Sequence, residues 1–320
     1  MSMSIPTPSM AAKVDPAAAA PIVVLDSGLG GLTVVKALRA ALPTEDIVYF
    51  GDTARLPYGA KSPATVTGFV TQIVSYLRDV VLPHPRSIKH VVIACNTATA
   101  LALPAVRSVF PGLAISGVLE PGAKAAVVAA GAKTHPVIGL IATEATVRSR
   151  AYSHAVHRRR QHARLLQQPT PLLVPLIEEG RGPDDPLVRL ALKQYLQPLV
   201  NHKIDVLVLG CTHYPIYKDL ISRMVGPRVQ VIDSANRCAE DVARRLKAAG
   251  ALGDGKQAAA AMDSDPEQTG SLRCFVTDDP DRFARLAPRF LGFAIERPTW
   301  VAPEDLYAAL PEPAPVRRAV

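Results

Sequence analysis

Cysteine is scarce. The 320 residues hold four, at positions 95, 211, 238 and 274, with no CxxC pair and no spacing that would build a disulfide framework. That usage fits a reduced, cytoplasmic protein. Long apolar runs are missing too: none reaches the roughly 18–20 residues of a membrane helix, so no membrane attachment is expected. The first twenty residues, MSMSIPTPSMAAKVDPAAAA, lack a basic start followed by an apolar block, and read as a disordered tail rather than a signal peptide. Aromatic residues make up 5% of the chain. They do not interleave with the most basic stretch, VRSRAYSHAVHRRRQHAR (147–164), which carries six arginines and three histidines of a chain whose net charge is +8. A run of that kind without stacking aromatics reads first as the solvated face of a helix, and second as a surface for nucleic acid or an acidic partner.

What is present is apolar content, 48% of the residues, in a chain long enough for two domains. Short apolar runs alternate with helical periodicity: PIVVLD (21–26), a helix over 30–42, DIVYFGD (46–52), a helix over 64–82, HVVIAC (90–95) and a helix after it. AISGVLE (114–120), PVIGLIAT (136–143), a basic helix, DVLVLGC (205–211) and VQVIDS (229–234) continue the pattern, and LRCFV with the residues to 293 gives one more strand and helix. Such alternation predicts α/β architecture, with mainly parallel sheets covered on both faces. Ligands in these sheets bind at the carboxyl ends of strands. Residues 251–270 read as a low-complexity surface linker, and those after about 303 as a Pro/Ala-rich tail.

Two strands end in a thiol. VVIACNTAT (91–99) places Cys95 before Asn96 and Thr97, and LVLGCTHYP (207–215) places Cys211 before Thr212 and His213. Alone, either cysteine reads as a small buried hydrophobe. As a pair, 116 residues apart, each between a strand and a helix start, they suit two α/β halves facing each other. A helix N-terminus favours a thiolate, but only by about 0.3–1 kcal/mol. Bringing a free thiol from about 8.5 to about 7 requires roughly 2 kcal/mol. A polar neighbour must therefore share the proton, and Asp26 and His213 are the candidates.

Other segments carry less. LDSGLGGL (25–32) lets backbone approach a ligand at a helix start, with Asp26 and Ser27 able to hold an ammonium and a carboxylate. It matches neither GxGxxG nor GxxxxGK[ST]. In DTARLPYG (52–59), Tyr58 either presents its hydroxyl or packs. PLLVPLIEEG (171–180) ends in Glu178 and Glu179, which alone read as surface carboxylates. Cys211 and His213 lack a third and fourth ligand at diagnostic spacing for zinc. Cys238 and Cys274 read as structural.

Taken in order, DSGLGG (26–31), GDTARLPYG (51–59), ACNTAT (94–99), GVLEPGA (117–123), LLVPLIEEG (172–180), GCTHYP (210–215) and VIDSA (231–235) resemble the glutamate racemases over about residues 21–300. The resemblance implies two similar three-layer α/β domains with the active site in the cleft between them. The first domain would comprise 21–116 plus 235–302 and the second 117–234, with tails at 1–20 and 303–320. It implies interconversion of L- and D-glutamate without pyridoxal phosphate, metal or other cofactor, supplying D-glutamate for peptidoglycan. Cys95 and Cys211 would be the catalytic acid/bases, with Asp26 assisting Cys95 and His213 assisting Cys211. Glu178 matches the family's helper glutamate, with Glu179 one residue away. Asp26, Ser27, Tyr58, Gly59, Asn96, Thr97, Thr212 and His213 would line the substrate site. A homodimer is expected, and DNA gyrase is a partner known for some members. The rivals are an aspartate racemase of the same superfamily, against which His213 in GCTHYP argues, a cysteine hydrolase using Cys211 and His213 alone, and a gyrase- or nucleic-acid-binding protein on a racemase scaffold.

Overall fold

Every residue of IVVLD (β1, Ile22–Asp26) is buried. A strand apolar on both faces can be satisfied only in a sheet covered on both sides, and β1 lies in the middle of one. The computed structural model describes residues 20–83, 88–253 and 270–308. Around β1 run β2 (Ile47–Gly51), β3 (His90–Ile93), β4 (Ile115–Gly117), β9 (Leu272–Val276) and β10 (Thr299–Trp300), in the order β10-β9-β2-β1-β3-β4, all parallel. A second parallel sheet has the order β6-β5-β7-β8, from β5 (Val137–Ala142), β6 (Arg164–Pro169), β7 (Val206–Gly210) and β8 (Gln230–Asp233). The two-sheet α/β architecture expected from the alternation is therefore present.

Register sets the site. Asp26 pairs with Gly51, and Leu25 with Ile93, so the residues just past β3 reach the level of Asp26. In the second sheet Ala142 pairs with both Pro169 and Gly210, which brings Thr143, Thr170 and Cys211 to one edge. One apolar cluster includes Ile22, Val24 and Tyr49 from the first sheet and Ile141, Leu207 and Leu209 from the second, so the two halves share a core. The outer faces have their own clusters, around Val23, Phe50 and Val91 in one half and Ile138, Leu140 and Tyr152 in the other.

Four features differ from the sequence reading or add to it. The basic helix is two short helices, Glu144–Arg148 and Ala151–His157, separated by Arg150 in the left-handed region at φ 56°. Strand β6 was not foreseen: as an edge strand it is only half-buried, and RLLQQP has no continuous apolar run. The helix Pro186–Asn201 was not foreseen either, although Asp185 caps it and Pro186 opens it, the usual start signal. The segment expected as a C-terminal tail begins with a helix, Pro303–Ala308, that buries Leu306. Its Pro followed by two acidic residues is a helix-start signal that the Pro/Ala composition obscured.

The expected N-terminal tail, except residue 20, and residues 254–269 of the expected linker lie outside the described residues, as do 309–320. The described ends of that linker are anchored to one turn: Gly253 N–H donates to Glu45 (2.6 Å) and Gly270 N–H to the Pro43 carbonyl (2.7 Å). No helix among the described residues is long and apolar enough to cross a membrane.

Candidate active site

Cys95 ends the β3 segment and caps the helix Asn96–Val109, its sulfur accepting the Ala98 N–H at 3.5 Å. The Ser27 hydroxyl lies 3.8 Å from the same sulfur. Burial is the main reason the thiol is pushed up to about 12; the negative charge of Asp26 adds to the rise, and the Ala98 N–H and Ser27 oppose it. Asp26 does not hydrogen-bond to Cys95. One of its oxygens accepts the Gly28 N–H (3.0 Å) and the other the Thr212 hydroxyl (3.3 Å). Its carboxyl is raised above the usual range, chiefly by burial, against the lowering influence of His213.

Cys211 has different company. Its sulfur lies 3.7 Å from His213 Nδ1, and His213 Nε2 lies 2.9 Å from Glu178 Oε1. Burial, the largest influence on His213, works against the charged imidazole. Hydrogen bonds to Cys211 and Glu178 outweigh it and lift the ring to about 10. Phe290 sets its ring edge-on to His213, centroids 5.7 Å apart. Of the two adjacent glutamates it is Glu178 that faces inward; Glu179 is exposed and pairs with Arg181. The four cysteines are all free and buried. Cys238 and Cys274 sit in the apolar core.

The DSGLGG turn joins the halves. A Cβ on Gly30 would stand 2.3 Å from Thr212 Oγ1 and 2.4 Å from His213 Nδ1. Glycine here admits side chains of the second half, and Thr33 donates to the Thr212 carbonyl beside it (3.1 Å). Gly59 plays the same part at the opposite rim, where a Cβ would lie 2.8 Å from Thr143 Cβ. Tyr58 is buried and its hydroxyl donates to Asp52, so it stands in a network with Asp52, Arg55 and Thr277.

Three residues not singled out in the sequence enter the site. The Thr97 hydroxyl lies 2.8 Å from that of Thr143 and 3.2 Å from that of Thr146. Tyr152, from within the basic stretch, donates to Asn96 Oδ1 at 2.7 Å. The Asn96 amide nitrogen is buried and has no partner among the described residues. The signal for Thr143 was its position directly after β5, in the family of strand ends that holds Cys95 and Cys211. Tyr152 carried no such signal.

Three of the six arginines in that stretch have partners within the chain: Arg158 and Arg159 pair with Glu120, and Arg160 donates to the carbonyls of Gly131 and Lys133. Among the described residues no group of three or more His, Cys, Asp or Glu side chains is arranged to hold a metal ion.

Chemically, the arrangement offers two sulfurs from two sheets, close enough for the charge of Cys211 to act on Cys95. In the residues beside them are hydroxyls of Ser27, Thr97 and Thr212, the unpartnered Asn96 amide and the Asp26 carboxyl. Residues 32–242 match the Asp/Glu/hydantoin racemase family. The chain is 43% identical to a glutamate racemase of Neisseria meningitidis serogroup A over 277 residues, 87% of this chain and 94% of that one. It is 42% identical to a glutamate racemase of Geobacter metallireducens over 84% of this chain and 92% of the relative. Among solved structures, glutamate racemase from Francisella tularensis in complex with D-glutamate superposes with a TM-score of 0.76 at 33% identity, covering 89% of this chain and 98% of that one. The Thermus thermophilus glutamate racemase, in complex with beta-chloro-D-alanine, gives 0.73 at 40% identity, covering 91% of this chain and 100% of that one.

Proposed function

The chain belongs to the glutamate racemase family and is an amino-acid racemase; from that premise we propose that it interconverts L- and D-glutamate by two-sided proton transfer between Cys95 and Cys211. The observation that carries the reading is a pair of free thiols at the carboxyl ends of strands in two different sheets, each with its own polar neighbour.

Racemisation needs a base on one face of the α-carbon and an acid on the other. In one direction the Cys211 sulfur, as thiolate, takes the α-proton and forms an S–H bond while the C–H electrons pass into the planar, carboxylate-stabilised intermediate. Cys95 then gives its thiol proton to the opposite face and is left as thiolate. The reverse direction exchanges the two roles. Cys95 is held as the thiol by its burial, and His213 keeps a proton beside Cys211, so the site has an acid and a protonated partner ready on opposite sides.

In this reading Asp26 receives the substrate ammonium, while Ser27, the Asn96 amide and the Thr97 and Thr212 hydroxyls receive carboxylate oxygens. Tyr58 and Gly59 close the rim, with backbone rather than the Tyr58 hydroxyl facing the ligand. Donors aimed at the developing enediolate charge would supply most of the stabilisation. No step calls for a cofactor. The product would serve peptidoglycan synthesis, the chain would work as a homodimer in the cytoplasm, and glutamate would be its small-molecule substrate. A DNA gyrase partner draws on the arginine stretch alone, of whose six arginines Arg158 and Arg159 share Glu120.

Purified protein incubated with D-glutamate in D₂O, with nothing added, should lose circular dichroism to zero and gain deuterium at Cα. A static signal with both enantiomers of glutamate, and turnover of aspartate instead, would overturn the substrate assignment.

A further inference from the structure

The helix that carries Glu178 is short, Leu173–Glu178, and its last carbonyls need donors. Two come from far along the chain. Arg289 donates to the Ile177 carbonyl and, with its other terminal nitrogen, to the Arg181 carbonyl, both at 2.9 Å. Arg282 donates to the Glu178 carbonyl at 3.2 Å. Both arginines belong to residues 280–291, which follow β9 of the first sheet, whereas the Glu178 helix follows β6 of the second. The next residue, Phe290, is the ring that meets His213 edge-on. One four-residue turn, Pro288–Leu291, therefore touches both members of the pair behind Cys211: His213 through Phe290, and the Glu178 helix through Arg289.

We infer that Arg289 is a positioning residue for proton transfer at Cys211. It forks across the end of the Glu178 helix and fixes the depth at which Glu178 meets His213, so that the first half of the molecule sets the geometry of a proton relay built on the second. A cation at a helix C-terminus is favourable in itself. Its bidentate grip on carbonyls four residues apart adds direction, which a single ammonium lacks. The inference rests on the reading of Cys211, His213 and Glu178 given above.

The test uses Arg289→Met and Arg289→Lys in the full chain, with α-deuterated L- and D-glutamate. Because the enantiomers are equal in free energy, kcat/KM must fall equally in both directions, by about ten- to a hundredfold for Arg289→Met if Glu178 shifts by about an ångström. The discriminating readout is the primary isotope effect. For the enantiomer whose α-hydrogen faces Cys211, C–H cleavage becomes more limiting and the effect rises. For its mirror image, delivery from Cys211 becomes limiting and the effect falls. Arg289→Lys should show the same divergence at smaller amplitude.

Loss of activity with both isotope effects unchanged, or moving together, would mean that Arg289 only supports the fold, and would overturn the inference. Glu178→Gln separates the two layers. If it diverges as described and neither Arg289 variant does, the positioning role falls alone. If Glu178→Gln leaves turnover and both isotope effects unaltered, the relay behind Cys211 falls, and the role of Arg289 with it.

Discussion

The two cysteines occupy corresponding places, past a buried strand in each half, yet their surroundings differ in kind. Around Cys95 the contacts are weak and mostly neutral: a hydroxyl at 3.8 Å, one backbone N–H at 3.5 Å, and a buried carboxyl whose charge opposes the thiolate. Around Cys211 an imidazole lifted to about 10 is wired to a carboxylate. A reaction whose product mirrors its substrate does not require mirrored machinery. It requires that the two barriers balance, and a buried acid opposite an ion-paired relay can balance them if the bound substrate supplies what Cys95 lacks. The glutamate ammonium placed at Asp26 would offset the charge that holds Cys95 in its thiol form.

The comparison breaks most sharply if either sulfur is removed. Cys95→Ala and Cys211→Ala should each reduce racemisation by about 10²–10⁴-fold or more, the cost of losing a positioned acid or base. Each should keep solvent exchange of the α-hydrogen for one enantiomer, without inversion, and for opposite enantiomers in the two variants. Proton NMR in D₂O reads both. Exchange of both enantiomers by a single variant would show that one residue serves both faces. Full racemisation by Cys95→Ala would overturn the two-cysteine reading.

His213→Asn sharpens the contrast on the Cys211 side alone. If protonated His213 is needed, kcat/KM in the parent protein falls as pH rises through about 10, where the imidazole gives up its proton. The asparagine variant should be slower by about a hundredfold and lose that alkaline limb. A limb that survives in the variant belongs to another group. On the Cys95 side, Tyr152→Phe leaves the Asn96 carbonyl oxygen buried without its donor, at a cost of about 1–3 kcal/mol. Its KM should rise several-fold with kcat changed less, measured for both enantiomers; an unchanged KM would remove Asn96 from substrate binding.

How much of this was legible in the sequence differs between the halves as well. Cys95, Cys211, Asp26 and His213 announce themselves because a polar residue at the end of an apolar strand has little structural reason to be there. The strand pattern carried the two-sheet architecture for the same reason. Glu178 was preferred over Glu179 by the family resemblance alone, since nothing local separates two adjacent glutamates; in the fold Glu178 meets His213 while Glu179 is exposed and pairs with Arg181. The partnership of Asp26 with Cys95 was expected as a shared proton, but in the fold Asp26 bonds to Thr212 and Gly28 and reaches Cys95 by charge. The glycines of DSGLGG read as a ligand approach, whereas Gly30 makes room for Thr212 and His213. Contacts between halves distant in sequence leave no local periodicity, which is why Tyr152 and Arg289 were silent.

The mildest test moves away from the chemistry to the other end of β3. His90 is buried like His213, but its one side-chain hydrogen bond among the described residues is to the Ser116 hydroxyl, at 2.8 Å, and it is lowered to about 4, first by burial and then by the charge of Arg245. Its sign is the reverse of that of His213. Above about 6.5 the ring is neutral in both the folded and unfolded chain and has no effect on the balance. As pH falls below that value the unfolded chain takes up a proton that the fold refuses until about 4, so stability drains across that window. The loss is small at first, about 1 kcal/mol by pH 6. His90→Gln should unfold in urea with a flatter pH dependence between 8 and 6, while racemisation at neutral pH stays within a few-fold of the parent. Parallel stability curves would mean that His90 takes its proton inside the fold. The contrast between a neutral buried histidine under Cys95 and a charged one beside Cys211 would then reduce to the Glu178 hydrogen bond alone.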